Sequence, residues 1–99
     1  MDLISVEDVK VDGLKAVGLR VELPQSPPLV LVIAKRGFLM CGYMNRETAG
    51  KLRTPVAVVT GVSTVEEALR AEVEWVNEAA EERGIKVGMK GAEAVKLMF

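Results

Sequence analysis

The hydrophobic period of this chain changes at Gly61, and that change decides the class of fold it can adopt. Before Gly61 the dominant period is two: Val17, Leu19 and Val21 alternate with Gly18, Arg20 and Glu22, the pattern of a strand with one wetter face. After it, Val65, Leu69, Val73, Val76 and Ala80 recur at three and four residues, widened by Trp75 and Ala79, which marks one side of a helix. The expectation is an α/β or α+β fold with two-layer packing. An antiparallel, strand-rich N-terminal half is followed by a strand-helix region and two or three short helices.

Punctuation sharpens the order of elements. VEDVKVDG ends on Asp12-Gly13, a turn-forming pair, and LKAVGLRVELP follows. Pro27 and Pro28 in QSPP break the chain, because proline cannot sit inside a hydrogen-bonded ladder. LVLVIAK is apolar on both faces, as a central strand is, and FLMCGYM returns after the Arg36-Gly37 turn. These segments predict an antiparallel meander. Asn45 is placed to cap a short helix over RETAGKL, Arg53, Thr54 and Pro55 close it, and VAVV at 56–59 resumes as a buried strand. Ser63 with Glu66, or Thr64 with Glu67, offers a capping box for the next helix. That helix runs over 64–83 as one piece or as two meeting near Ala71, and Gly84 ends it as a left-handed cap. IKVGMKG leads to a last helix, AEAVKLM, whose Ala92, Val95 and Met98 share an apolar side and whose end docks through Met98 and Phe99. The whole of 1–99 reads as one small domain, strand-rich over 1–43 and helix-richer over 44–99.

Composition narrows the functions. Hydrophobic residues make up 49% of the chain but aromatics only 4%, so Val, Leu, Ile, Ala and Met build the interior. That much apolar material in 99 residues points to a surface shared with another subunit. Thirteen basic and fourteen acidic side chains without a basic run argue against a nucleic-acid partner. With no histidine and a single cysteine, one chain holds no Ser-His-Asp or Cys-His arrangement, no internal disulfide, no four-thiolate metal site and no His-rich zinc site. No metal is expected, and no particular cofactor is indicated. The N-terminus lacks the pattern of a signal peptide, and the longest apolar run, LVLVIA at 29–34, is too short to cross a bilayer. A cytoplasmic location follows as the expectation, without membrane attachment.

Three stretches are candidates for chemistry. Cys41, in FLMCGYMN, is read either as a small buried apolar residue, the commoner role of free cysteine, or as a reactive thiol near the helix start at Asn45. The loop VVTGVST runs from a buried strand into a capped helix; Thr60, Gly61, Ser63 and Thr64 there offer hydroxyls and N–H groups to a small anionic ligand. Against that, a hydroxyl at a helix start is usually only a cap, and the spacing matches no nucleotide fingerprint. GIKVGMKG supplies Gly88 and Lys90, either as part of a pocket or as a wetted linker. The numerous glutamates between 66 and 82 read as a solvated helix surface.

GFLMCGYMN at 37–45, VVTGVSTVEEALRAEV at 58–73 and GIKVGMKGAEAVKLM at 84–98 together resemble the small bacterial and archaeal family called domain of unknown function 1805, or YunC-like. The likeness extends over nearly all of the chain. It matches the family's Cys-Gly pair with Cys41-Gly42, its helix-start pattern with Gly61, Val62 and Thr64, and its late Gly-Met-x-Gly with Gly88, Met89 and Gly91. The resemblance implies a small α/β protein whose strand-rich N-terminal region mediates tetramer formation, and it implies no particular activity. The loop between the first helix and VAVV is shorter here than in some members.

The combined expectation is a homo-oligomeric binding or accessory protein with a small-molecule site near strand ends. One alternative is a small enzyme using Cys41 and the Thr60–Thr64 loop, its site shared between subunits. Another is an oligomer whose role is purely structural.

Overall fold

The computed structural model describes residues 3–99. Six strands form one sheet in sequence order: β1 (Ile4–Val11), β2 (Leu14–Val21), β3 (Leu29–Ile33), β4 (Phe38–Met40), β5 (Val56–Val58) and β6 (Trp75–Val76). Four short helices accompany them: α1 (Arg46–Gly50), α2 (Val65–Arg70), α3 (Glu78–Glu82) and α4 (Gly91–Lys96). The meander β1–β4 is antiparallel throughout, β5 lies parallel to β4, and β6 returns antiparallel to β5. The compositional division near Tyr43 is not a division of the sheet, since β5 and β6 extend it directly.

Local chemistry explains the elements the punctuation predicted. Asp12 (φ 50°) and Gly13 (φ 80°) form the two-residue turn of the first hairpin, with both central residues left-handed to match the strand twist. The Asn45 side chain accepts from the Thr48 N–H at 3.1 Å and caps α1. At α2 the Thr64 hydroxyl accepts from the Glu67 N–H at 3.0 Å, while the Glu67 carboxylate accepts from the Ser63 N–H at 2.7 Å. Gly84, at φ 84°, closes α3 with the Ile85 N–H donating to the Ala80 carbonyl and its own N–H to that of Glu81.

Two expectations change. First, 64–83 is neither one helix nor two meeting at Ala71. Ala71 does end α2 in extended backbone, but six further residues pass before α3. Within them Glu74 donates to the Val58 carbonyl and Asn77 to that of Val56, so Trp75 and Val76 become a strand. The edge of β5 supplied partners that helical spacing alone does not reveal.

Second, the alternation in β2 is read with the wrong side inward. Ala16 and Gly18 are buried, whereas Val17 is 39% exposed. The reason is α2. A Cβ on Gly18 would stand 2.9 Å from Val65 Cγ1 and 3.0 Å from Val9 Cγ2, so glycine is what lets the helix lie on the sheet. Gly91 does the same between α2 and α4, where a Cβ would fall 2.2 Å from the Ala68 carbonyl oxygen.

The main core therefore fills the helix side of the sheet: Val9, Val30, Val32, Leu39, Ala57 and Val59 meet Val65, Ala68, Ala94, Val95, Ile85 and Met98. On the other side only the β4–β6 end is covered, where Val56 and Val58 pack with Ala49, Phe38, Met44 and Trp75. Over β1–β3 that side stays open. Ile4, Val6 and Ile33 are 61%, 67% and 43% exposed, and the register sets Ile4 opposite Val21, Val6 opposite Leu19 and Leu19 opposite Leu31.

Candidate functional site

The parallel pair β4–β5 is where the topology opens a crevice. From the C-terminal end of β4 the chain leaves through Cys41–Met44 to α1, which packs on the Val56–Val58 side. From the same end of β5 it leaves through Val59–Thr64 to α2, which packs on the opposite side. Loops diverging to opposite faces at the carboxyl ends of parallel strands leave a gap, the place where open α/β sheets hold ligands.

The gap is real here. A crevice of about 520 Å³ is lined by Pro27, Pro28, Cys41, Gly42, Tyr43, Gly61, Val62 and Ser63. Three interactions hold its walls. The Tyr43 hydroxyl donates to the Pro27 carbonyl at 2.7 Å and ties the β2–β3 loop to the end of β4. Arg20 Nε donates to the Ser63 carbonyl at 2.7 Å and ties the other wall to β2. The Cys41 thiol accepts the Val30 N–H at 3.3 Å and is 4% exposed. No lining residue is charged. With glycines on two sides, much of the polar surface that a ligand meets is backbone.

The structure brings Cys41, Gly61 and Ser63 together at this crevice and distributes the other sequence candidates elsewhere. The Asn45 side chain and the Thr64 hydroxyl are engaged in caps. Thr60 turns away from the crevice lining and donates its hydroxyl to Glu74. It shares a second hollow, of about 500 Å³, with Glu72, Glu74, Val87 and Gly88. Lys90 precedes α4 without a side-chain capping bond, its backbone bridging Glu72. Sequence reasoning missed Pro27, Pro28, Gly42, Tyr43 and Val62 as lining residues. The proline pair was legible only as a break, although a rigid pair beside a Cys-Gly-Tyr segment is a signal that a wall can be built there.

No group of three or more His, Cys, Asp or Glu side chains suited to a metal ion occurs among the described residues. No helix among them is long and apolar enough to cross a membrane.

Sheet, helices and crevice together define a small α/β protein with a glycine-walled, uncharged gap at a topological switch point. The chain belongs to the family described as Domain of unknown function (DUF1805), whose model matches residues 40–98. A Bacillus subtilis (strain 168) relative described as "Uncharacterized protein YunC" is 30% identical over 101 residues, spanning 98% of this chain and 99% of its own. The crystal structure of a protein of unknown function, TA1206 from Thermoplasma acidophilum, superposes with a TM-score of 0.90 at 25% identity, covering 97% of this chain and 93% of the other. The matched family region contains both Gly-containing walls of the crevice, whereas Pro27, Pro28 and the whole of β1–β3 precede it.

Proposed function

We propose that the protein is a homo-oligomeric binding or accessory protein that holds a small, uncharged molecule in the Cys41–Ser63 crevice. The observation that carries the reading is the crevice's position at the switch point of the β4–β5 pair, with walls held by Tyr43 and Arg20. The ligand class follows from what the loop has already committed. The Ser63 N–H, the donor of this loop best suited to an anion, is taken by the Glu67 carboxylate. Glu66 and Glu67 add negative charge in the first turn of α2. A neutral ligand with hydrogen-bonding edges suits the remaining backbone groups better than an anion does.

The oligomer reading rests on the open side of β1–β3. An apolar sheet face of this extent is uncommon on a monomer, and a second copy of the chain is the occupant we assign to it, with a tetramer as the expected assembly. A catalytic reading of the crevice rests on Cys41. The lining offers it no acid or base, so binding is the stronger reading. A purely structural role corresponds to an assembled protein with an empty crevice.

Native mass spectrometry of the untagged protein separates these readings. Binding predicts multiples of the 10.7 kDa chain carrying a reproducible extra mass, which Gly42→Val removes by filling the crevice, without changing assembly. Val6→Lys predicts dissociation with the crevice intact. A wild-type monomer would refute the oligomer. Assemblies with no added mass, in which Cys41 reacts with iodoacetamide equally fast in wild type and Gly42→Val, would refute the binding crevice. Any turnover found that survives Cys41→Ser would refute the catalytic reading.

A further inference from the structure

At the opposite end of the β4–β5 pair, three arginines from three different elements meet one shallow hollow. Arg36 lies in the turn before β4, Arg53 in the loop before β5, and Arg83 at the C-cap of α3. With Thr54, Pro55, Ala79 and Glu82 they line a hollow of about 330 Å³. Each carrier is anchored. The Arg36 N–H donates to the Met98 carbonyl at 2.7 Å. Arg83 Nε donates to the Leu97 carbonyl at 2.7 Å, leaving its two terminal nitrogens available. Next to Arg53, the Thr54 carbonyl accepts from Asn77 Nδ2 at 2.8 Å.

Among the described residues these guanidinium groups lack carboxylate partners, and the one side-chain bond they make is that of Arg83 to a carbonyl. The ion pairs among the described residues are Lys15–Asp8, Arg20–Glu22, Arg70–Glu66 and Lys96–Asp12. None involves Arg36, Arg53 or Arg83, and Glu82 is in none of them although it lines the same hollow. Attraction to the carbonyl end of a helix accounts for Arg83 beside α3. It does not account for Arg36 and Arg53, which come from two loops. Three cations less one carboxylate (3 − 1) leave a charge of +2 around the hollow, on a chain whose net charge is −1.

We propose that this hollow is a second binding site, specific for a phosphate group, either inorganic phosphate or the phosphomonoester of a small molecule. A phosphomonoester carries about −1.5 to −2 at pH 7, which matches the charge left over. Guanidinium forks bind such oxygens in pairs, so arginine is the residue this chemistry selects. The site stands at the far end of the strands from the crevice and is independent of it.

Titration of 15N-labelled protein with inorganic phosphate, and separately with glycerol phosphate, tests this at pH 7.5 and constant ionic strength against chloride. The expected result is saturable shifts confined to the amides around Arg36, Arg53 and Arg83. Arg36→Gln, Arg53→Gln and Arg83→Gln each weaken binding about tenfold, and the matching lysine variants weaken it less. Arg70→Gln, whose arginine is paired with Glu66 elsewhere, leaves it unchanged, and Glu82→Gln tightens it. Tighter binding of glycerol phosphate than of phosphate assigns the phosphomonoester, and the reverse order assigns the free ion. Non-saturating shifts, equal losses with Arg70→Gln, or weakening by Glu82→Gln would overturn the site. So would binding of a glutamate-rich peptide with none of either phosphate, which would make the hollow a protein-docking patch. Preserved dispersion of the remaining amides establishes that each variant is folded.

Discussion

Replacing Asn77 tests whether one buried side chain holds together the half of the fold that carries the parallel strand. Asn77 is 1% exposed. Its Oδ1 accepts from the Val56 N–H at 3.0 Å and the Ala80 N–H at 2.9 Å, and its Nδ2 donates to the carbonyls of Ala49 at 3.0 Å and Thr54 at 2.8 Å. One amide thus caps α3, begins β5 and fastens the α1–β5 loop. In Asn77→Ala the lost cap costs about 1 kcal/mol. The buried Val56 N–H, left without a partner, costs about 1–3 kcal/mol, and the Ala49 carbonyl adds about 1 kcal/mol more. Thr54 is exposed, so water replaces its donor at little cost. The sum, about 3–5 kcal/mol, is a large share of the roughly 5–15 kcal/mol that stabilises a domain. With a urea m-value of about 1.5 kcal/mol/M, the unfolding midpoint falls by about 2–3 M. Wild type and variant are compared at one protein concentration, because self-association, where it occurs, makes apparent stability concentration-dependent. Asn77→Asp separates the two ends of the amide: it keeps both acceptor contacts and turns the donor end into a carboxylate oxygen facing two carbonyls. A loss below about 1 kcal/mol in Asn77→Ala would refute the reasoning. An Asp variant as stable as wild type would refute the part assigned to the donor end.

Two further outcomes follow from local geometry. Gly91→Ala drives a methyl against the Ala68 carbonyl oxygen, which is backbone and cannot rotate away; the expected loss is at least about 2 kcal/mol by urea unfolding, and a neutral result would mean that α2 and α4 separate freely. Lys96 and Asp12, 2.8 Å apart, tie α4 to the first hairpin. The bond to the Asp12 carboxylate holds the Lys96 ammonium above the usual lysine range. A raised folded value places the stabilisation below the unfolded lysine pKa and removes it as pH rises through the folded one. The stability difference between wild type and Lys96→Met, small because both groups are exposed, is therefore present at pH 8 and closes in the alkaline range above the lysine value. A difference independent of pH would refute the pair.

How much of this was legible in the sequence depends on the range over which each signal acts. The Asp12-Gly13 turn, the Asn45 cap, the Thr64–Glu67 box and the Gly84 cap all lie within a few residues of the bonds they make, and the sequence shows them directly. The segment 71–77 shows the opposite case. Val73, Val76 and Ala80 keep helical spacing, yet Glu74 and Asn77 donate to Val58 and Val56 across the sheet. Spacing carries no trace of those partners. The crevice is divided in the same way: Cys41, Gly61 and Ser63 stood out by residue type, but the wall formed when Tyr43 reaches the Pro27 carbonyl joins residues sixteen apart.

The misread face of β2 has the widest consequence. Alternation identifies a strand with an apolar side, and it is silent on which side the helices take. Here Gly18 and Ala16 receive α2, because only small residues let Val65 approach. The larger side chains of the same strand, Val17, Leu19 and Val21, are consequently turned away from the chain's own helices, toward the side shared with Ile4, Val6, Leu31 and Ile33. A chain selected only to fold as a monomer gains nothing from placing its small residues inward and its branched ones outward. Burying a Val or Leu contributes about 1.5–3 kcal/mol, and on this face that gain is realised only against another surface. The arrangement is economical if the sheet has two partners, its own helices on one side and a second copy on the other. On the proposed homo-oligomer, Leu19→Lys lowers the mass of the assembly in native mass spectrometry while leaving the core of Val30, Val32 and Leu39 untouched, and an unchanged mass would refute the second partner.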